Sequence, residues 1–535
     1  MCYLSTLVLW ILVYLIIEAV RFIFIAKKHT AGVFHIFLVM LLSGVGSSSV
    51  LNSTSLEDQL FQYIDDHQEK FVETLKKWVA VESDSIQPAQ RSEVKKMVEM
   101  AASCLRDLGA NVTLVDMPVH EVLDGRNISL PPVILAELGE DPLKPTVCFY
   151  GHVDVMPANK SDGWETDPYI LTDIGGNLYG RGATDNKGPV LAWIHAVSAF
   201  KELRKDLPVN LKFLIEGMEE AISIGLKELV EREKEQFFSN VNYIVISDNT
   251  WLSTEKPALT YGTRGNAGFS VEVQGGERDL HSGALGGIVQ EPMSDLIALL
   301  GSLVDSSGHI LIPGIYDDVA NFTEEEKKLY EPIEFDIEQY KVDVGVKKFL
   351  YDTKEEILSH LWRFPSLSIH GIEGAFHEKG IKTVIPSRVI GKFSIRQVPH
   401  MNLSTVECQV KRHLEKVFSE RNSPNKLRVY AEEGASPWIT NISDPQYKAA
   451  AKAIKRVFKK DPDMIRDGST IPIAQMLQDI TKKSVMMFPI GAADDGEHSQ
   501  KEKISRKNYI NGTKVFSSFL LEIAKLHKEL LRGSK

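Results

Sequence analysis

Apolar positions recur at three-to-four spacing between residues 56 and 108: Leu60, Tyr63 and Ile64, then Phe71, Leu75, Trp78 and Val79. That period predicts a helical opening. Short apolar runs then alternate with helical ones. Strands are expected at 146–150, 209–215, 241–246 and 484–489, and helices at 190–200 and 509–526. The strand runs are apolar on both faces, as in a sheet covered by helices on each side. The fold class expected is therefore α/β, a mixed sheet between helical layers.

A different rhythm interrupts this pattern. Strand 269–273, helix 292–303, strands 366–369 and 389–395, helix 406–418 and strand 427–430 follow one another. This is the βαββαβ order of a ferredoxin-like α+β domain. The economical organisation is a main domain built from 50–258 and 436–535, with a second domain inserted at 259–435. The charged, helix-like stretch from about 320 to 360 has no place in that scheme on pattern alone. No repeat of fixed period is visible.

The first 49 residues stand apart. Residues 4–25 are apolar but carry Glu18 and Arg21. Residues 33–45 follow Lys27, Lys28 and His29 and run into Gly44, Gly46, Ser47 and Ser48. Basic flank, short apolar run and small-residue exit predict a secretory signal peptide. The earlier stretch reads as an extra membrane segment or an N-terminal extension, and a buried helix of the fold is the plainer alternative. Membrane contact is expected only through these segments. Eight Asn-x-Ser/Thr acceptors agree with export, at Asn52, Asn111, Asn127, Asn159, Asn321, Asn402, Asn441 and Asn511. They predict N-glycans on surface loops of a secreted protein, with a membrane-anchored, outward-facing form as the alternative.

Composition narrows the field. Acidic residues outnumber basic ones 72 to 61, a formal charge of −11. No nucleic-acid partner is expected, since phosphates demand clustered Lys and Arg. Four cysteines in 535 residues exclude a disulfide scaffold. Three of them, Cys104, Cys148 and Cys408, lie past the signal, so at least one is expected as a free thiol.

The residues with chemistry sit just beyond the strand runs. His152 and Asp154 follow one strand, and Asp185 lies in a Gly-rich stretch before a helix. Glu219 and Glu220 follow the next strand and Asp248 the one after, while His498 arrives after the inserted domain. The steps 152 to 185, 185 to 220 and 220 to 248 are 33, 35 and 28 residues, each about one strand-helix-strand unit. In an open α/β sheet the carboxyl ends of the strands face the crevice, so successive units deliver ligands to one edge. Taken singly, His152 is an ordinary loop histidine, Glu219-Glu220 a solvated pair, Asp248 a turn or cap residue, and Asp494-Asp495 a loop charge cluster. Asp185 lacks the G-x-x-x-x-G-K-[ST] context of a phosphate loop. Jointly, two His and three or more carboxylates suit a pair of divalent ions, zinc foremost and manganese second. One of the adjacent glutamates binds metal while its neighbour takes a proton from water. Asp154 is placed to orient His152.

Four segments then resemble a known family: Gly151-His152-Val153-Asp154-Val155, Gly182-Ala183-Thr184-Asp185-Asn186-Lys187-Gly188, Glu216-Gly217-Met218-Glu219-Glu220 and Asp494-Asp495-Gly496-Glu497-His498-Ser499. They are similar to the carnosinase branch of the di-metal aminoacylase/carboxypeptidase-like metallopeptidases. The similarity runs from about residue 56 to the C-terminus. Arg466-Asp467-Gly468-Ser469-Thr470-Ile471-Pro472 and the signal-like start resemble the secreted rather than the cytosolic carnosinases.

The resemblance implies that Asp185 bridges two metals, with His152 and Asp248 completing one site and Glu220 and His498 the other. It implies Glu219 as general base and Asp154 as orienter. His281 of the inserted lid and dimerisation domain would act on a partner subunit's substrate, so a homodimer is implied. Arg396, Thr383, Ser469 and Thr470 would hold the substrate, Arg396 and Thr383 at its free carboxylate. The implied activity is secreted hydrolysis of Xaa-His dipeptides such as carnosine. The alternatives are a related hydrolase of other dipeptides or N-acyl amino acids, and a catalytically silent, membrane-tethered binding protein. Three positions depart from the family's pattern: Ile222 stands where Gly is usual, Met156 replaces a polar residue, and Glu433 lies near the place of a substrate-touching histidine.

Overall fold

The computed structural model describes residues 55–117, 121–123, 126–432 and 434–533. The signal-like segment, Asn52 and Glu433 lie outside the described residues. Among the described residues no helix is long and apolar enough to cross a membrane.

The helical opening resolves into Leu56–Asp66, Gln68–Val79 and Arg91–Leu108, with Leu60, Ile64, Phe71, Leu75, Trp78 and Val79 buried. Gly109 ends the third helix at φ +95°, a left-handed cap that most side chains resist. A nine-stranded mixed sheet follows. Its order is Asn111–Val115, Val133–Leu138, Asn210–Glu216, Thr146–His152, Tyr243–Ile246, Ser484–Met487, Ala258–Thr263 and Trp438–Ile439, with Asp463–Asp467 also paired to Ala258–Thr263. The strands Asn210–Glu216, Thr146–His152, Tyr243–Ile246 and Ser484–Met487 run parallel. Their carboxyl ends therefore share one edge.

Alternate residues of these strands pack on opposite layers, as a period of two requires. Cys148, Tyr150, Leu214, Ile244 and Ile246 face a cluster with Leu226, Leu229, Ile473 and Leu477 from the helices Leu226–Glu233 and Pro472–Thr481. Phe149 faces the other way, 5.1 Å from the Trp193 ring, which stacks on Phe516 at 4.2 Å. Trp193 lies in Lys187–Glu202 and Phe516 in the closing helix Arg506–Gly533. Each such burial stabilises the fold by about 1.5–3 kcal/mol.

The inserted elements form a four-stranded antiparallel sheet in the order Ser366–Glu373, Arg388–Arg396, Ala267–Gln274, Lys426–Ala431. Helices Pro292–Gly301 and Leu403–Glu420 cover one face through Leu296, Leu299, Val406, Val410 and Leu414. This is the ferredoxin-like order expected. Strand Ala258–Thr263 straddles the expected 258/259 break because it pairs with the large sheet. The unplaced stretch forms helices Glu324–Tyr330, Ile337–Val344 and Lys354–Trp362. Tyr330, Leu358 and Trp362 are buried against Trp251, Ala258, Ile465 and Ala492, so its apolar contacts lie with the main domain.

The three cysteines beyond the signal-like segment are all free, with Cys148 buried and Cys408 exposed.

Candidate metal centre

The candidate ligands sit at or beyond strand ends and, for Asp185, at the start of a helix. His152 closes Thr146–His152 and is fully buried. Glu219 and Glu220 occupy the turn after Asn210–Glu216, and Asp248 lies two residues past Tyr243–Ile246. Asp185 precedes the helix Lys187–Glu202, and His498 comes from the loop after Ser484–Met487. The parallel register brings them together. His152 Nε2 lies 3.1 Å from Asp185 Oδ1 and 3.2 Å from Asp248 Oδ1. His498 Nε2 lies 3.1 Å from Asp185 Oδ2 and 3.1 Å from Glu220 Oε2.

Two ligand groups result, His152–Asp185–Asp248 and Asp185–Glu220–His498, with Asp185 common to both. The donor chemistry fits divalent ions. Each Nε2 carries at most one proton, yet two carboxylate oxygens compete for it; a cation between the three would satisfy all of them. Charge points the same way. Burial, then the charge of Asp185, pushes the Glu220 carboxyl up to about 7. Burial also pushes Glu219 well above its ordinary value, with Asp248, Glu220 and Asp185 adding to the push against His152. His498 is held up to about 11 by its bonds to Asp185 and Glu220. A cluster that strains to neutralise its own acids is one that a cation relieves.

Buried partners fix these side chains. Asp154 Oδ1 lies 3.3 Å from His152 Nδ1, and its Oδ2 accepts from Ser85 Oγ at 2.6 Å and from the Glu220 N–H at 3.0 Å. Asn186 Nδ2 donates to Asp248 Oδ1 at 2.7 Å. Glu502, fully buried, accepts from Arg181 Nη1 at 2.8 Å, Gly182 N at 3.0 Å, and Thr184 N and Asp185 N at 3.1 Å each. Asp495 accepts from Thr184 Oγ1 at 2.9 Å and from Lys503 Nζ at 2.7 Å. Sequence reasoning missed Glu502 and Asn186 and read Asp495 as loop charge. Nothing local marks a Glu inside Ser499-Gln500-Lys501-Glu502-Lys503 as buried.

The substrate-side candidates fall in two places. Arg396 Nη1 donates to Thr470 Oγ1 at 2.6 Å. Ser469 lies in the same loop, its N–H on Asp467 Oδ1 at 2.8 Å. Arg264, also missed, holds that loop through Nε to the Gly468 carbonyl at 3.0 Å. His281 and Thr383 lie together elsewhere. Strand Leu280–His281 pairs with Val384–Ile385, and the Ser282 N–H donates to the Thr383 carbonyl at 3.1 Å. His281 is exposed, its Nδ1 accepting from Gly283 N at 3.0 Å. Among the described residues no hydrogen bond or ion pair joins His281 or Thr383 to the metal ligands.

The sheet, the ligand-bearing edge and the inserted four-stranded domain define a metallopeptidase. The chain belongs to Peptidase family M20/M25/M40, whose pattern matches residues 148–522. It is a peptide-bond hydrolase. It is 64% identical over 502 residues to the human Beta-Ala-His dipeptidase, covering 94% of this chain and 99% of that protein. It is 45% identical to the Cys-Gly metallodipeptidase dug1 of Schizosaccharomyces pombe, across 87% of this chain and 98% of that one. Among solved structures, human carnosine dipeptidase 1 superposes with a TM-score of 0.80 at 64% identity, covering 88% of this chain and 99% of its own.

Proposed function

We propose that this chain is a secreted, homodimeric dipeptidase that hydrolyses Xaa-His dipeptides such as carnosine at a two-metal centre. The observation that carries the reading is the double use of Asp185, one carboxylate oxygen in each three-residue ligand group, with the charge of Asp185 acting on buried Glu219. His152, Asp185 and Asp248 would hold one ion, and Asp185, Glu220 and His498 the other. Two bound divalent ions, zinc by this donor set with manganese second, supply Lewis acidity and an activated water.

The chain's own residues do the rest. Glu219, its proton affinity raised by burial, takes the proton of the attacking water and passes it to the leaving amine. Asp154 holds the His152 ring through Nδ1. Arg396, carried with Thr470 and Ser469 at one loop, offers a forked guanidinium to the substrate's free carboxylate, and Thr383, which lies with His281, would reach that carboxylate from a second copy. His281 is exposed and, among the described residues, makes no hydrogen bond or ion pair to its own chain's candidate ligands, which suits a donor reaching a second copy's tetrahedral oxyanion. Secretion rests on the N-terminal pattern. Glycan addition is supported at Asn159, Asn321, Asn402 and Asn441, which are exposed, and opposed at Asn511, whose sequon Thr513 is fully buried in a helix.

The test is metal content with turnover of β-Ala-His, Gly-His, Cys-Gly and an N-acetyl amino acid by purified secreted protein. About two metal ions per chain and preference for the His dipeptides are expected. Faster Cys-Gly or N-acetyl hydrolysis moves the substrate class to the alternative hydrolases, and a metal-free, chelator-indifferent protein refutes the centre.

A further inference from the structure

The turn that carries Glu219 and Glu220 is built against its own sequence. It begins as a helical turn, with Ala221 N donating to Met218 O at 3.2 Å and Ile222 N to Glu219 O at 2.9 Å. Two residues then adopt left-handed backbone in succession, Ile222 at φ +62° and Ser223 at φ +49°. Glycine takes such angles freely; a β-branched residue is the type that resists them most. The Ile222 side chain recovers little by burial, being 71% exposed, while its neighbours Ala221 and Ile224 pack on the core. Left to itself, this turn would relax and take Glu219 with it.

Beneath the strained residues lies a hydrogen-bonded chain that the reaction does not use. Ser223 Oγ donates to Glu216 Oε1 at 2.8 Å, and Tyr150 OH donates to the same oxygen at 2.7 Å. Tyr150 and Glu216 are both buried within adjacent strands of the sheet. On the other side of the two glutamates, Asp154 holds the Glu220 N–H. We propose that Ser223, anchored through Glu216 to Tyr150, is a positioning residue that holds the Glu219 turn in the left-handed form that Ile222 disfavours. This rests on Glu219 being the proton carrier.

The experiment is a double-mutant cycle between positions 222 and 223, read by kcat, KM, metal content and unfolding midpoint with β-Ala-His as substrate. Ser223→Ala is expected to lower kcat about tenfold with KM within about twofold and metal content unchanged, as misplacement of a reacting group does. Ser223→Asn, which keeps a donor for Glu216 and tolerates left-handed backbone, should restore part of the rate. In the Ile222→Gly background, Ser223→Ala should cost about twofold or less, because glycine holds the turn without the brace. Full activity of Ser223→Ala, or the same loss in both backgrounds, overturns the proposal. If the wild type hydrolyses no dipeptide, the reading of the site fails instead. The brace is then decided by the midpoints, which should fall further on Ser223→Ala with Ile222 present; equal falls overturn it.

Discussion

Replacing Glu502 by Gln keeps size and shape and removes one charge, at a residue that touches no proposed ligand side chain. The carboxylate accepts four hydrogen bonds in a fully buried place: Thr184 and Asp185 N–H on one oxygen, Arg181 and Gly182 on the other. Burial pushes this acid up, and the Arg181 charge and the backbone donors act against that push. A glutamine keeps one carbonyl oxygen for Thr184 and Asp185 and turns its NH2 toward two groups that can only donate. A buried donor without an acceptor costs about 1–3 kcal/mol. Removing the partner of a buried Arg costs about 3–5 kcal/mol. The two overlap, so roughly 3–5 kcal/mol is expected in all, a fall of about 3–5 °C in unfolding midpoint for a chain of this size. The Asp185 loop loosens as well, so metal affinity should drop about 10–100-fold, as for other partners that orient ligands. Calorimetry with and without added zinc, and the chelator concentration that halves activity, measure both. A midpoint within about 2 °C of wild type with unchanged chelator resistance would refute the idea that Glu502 holds the bridging loop.

Glu219→Gln should keep its metal and lose about 10²–10⁴-fold in kcat; substantial residual turnover would remove Glu219 as the base. Ile222→Gly should raise stability by roughly 0.5–1 kcal/mol, since a left-handed branched residue costs about 1–2 kcal/mol and glycine's unfolded-state freedom returns part of it; a lower midpoint counts against the strain. Arg396→Met should raise KM about 10–100-fold for β-Ala-His and hardly change it for the dipeptide amide, and an equal effect on both would deny the carboxylate contact. Burial, then the Lys70 charge, lowers His195 to about 3. The unfolded chain therefore takes up a proton below about pH 6.5 that the folded one refuses, and stability contributed above that pH is lost at about 1.4 kcal/mol per pH unit as acid is added. His195→Gln should flatten this slope between pH 4 and 6 in a denaturation series, and an unchanged slope would refute it.

What the sequence revealed and what it hid divide along physical lines. Runs with a clean period were legible, because burial on both faces leaves a continuous apolar stretch at 146–150 or 241–246. Strand Asp463–Asp467 was hidden: the charges of Asp463 and Arg466 break any apolar run, yet both are buried as ion pairs, with Lys256 at 2.6 Å and Glu326 at 2.6 Å. The same pairing, with Tyr261 OH on Glu326 at 2.9 Å, ties the 320–360 stretch to the main domain, which polar periodicity cannot announce. The candidate ligand groups were legible because the residues that form them recur about one strand-helix-strand unit apart. Their supports were not, since Glu502 meets the Asp185 loop across a separation of 317 residues. The left-handed backbone at Ile222 was visible only through the glycine that the resemblance led one to expect there.

The two ligand groups are unequally built. His152 is buried, with Asp154 on its second nitrogen, and Asp248 is held by Asn186. His498 sits half out in solvent, in a loop where its own backbone takes φ +59°. Glu220 belongs to the turn that Ile222 strains. The first group is thus preformed by buried hydrogen bonds, and the second draws on a half-exposed histidine and on a turn with left-handed backbone. Asp185 belongs to both: its backbone is held from behind by the Glu502 cradle, while each histidine meets one oxygen of its carboxylate. A disturbance in the second group can therefore leave the first intact, whereas one at Glu502 reaches both together, because the carboxylate they share moves with its loop.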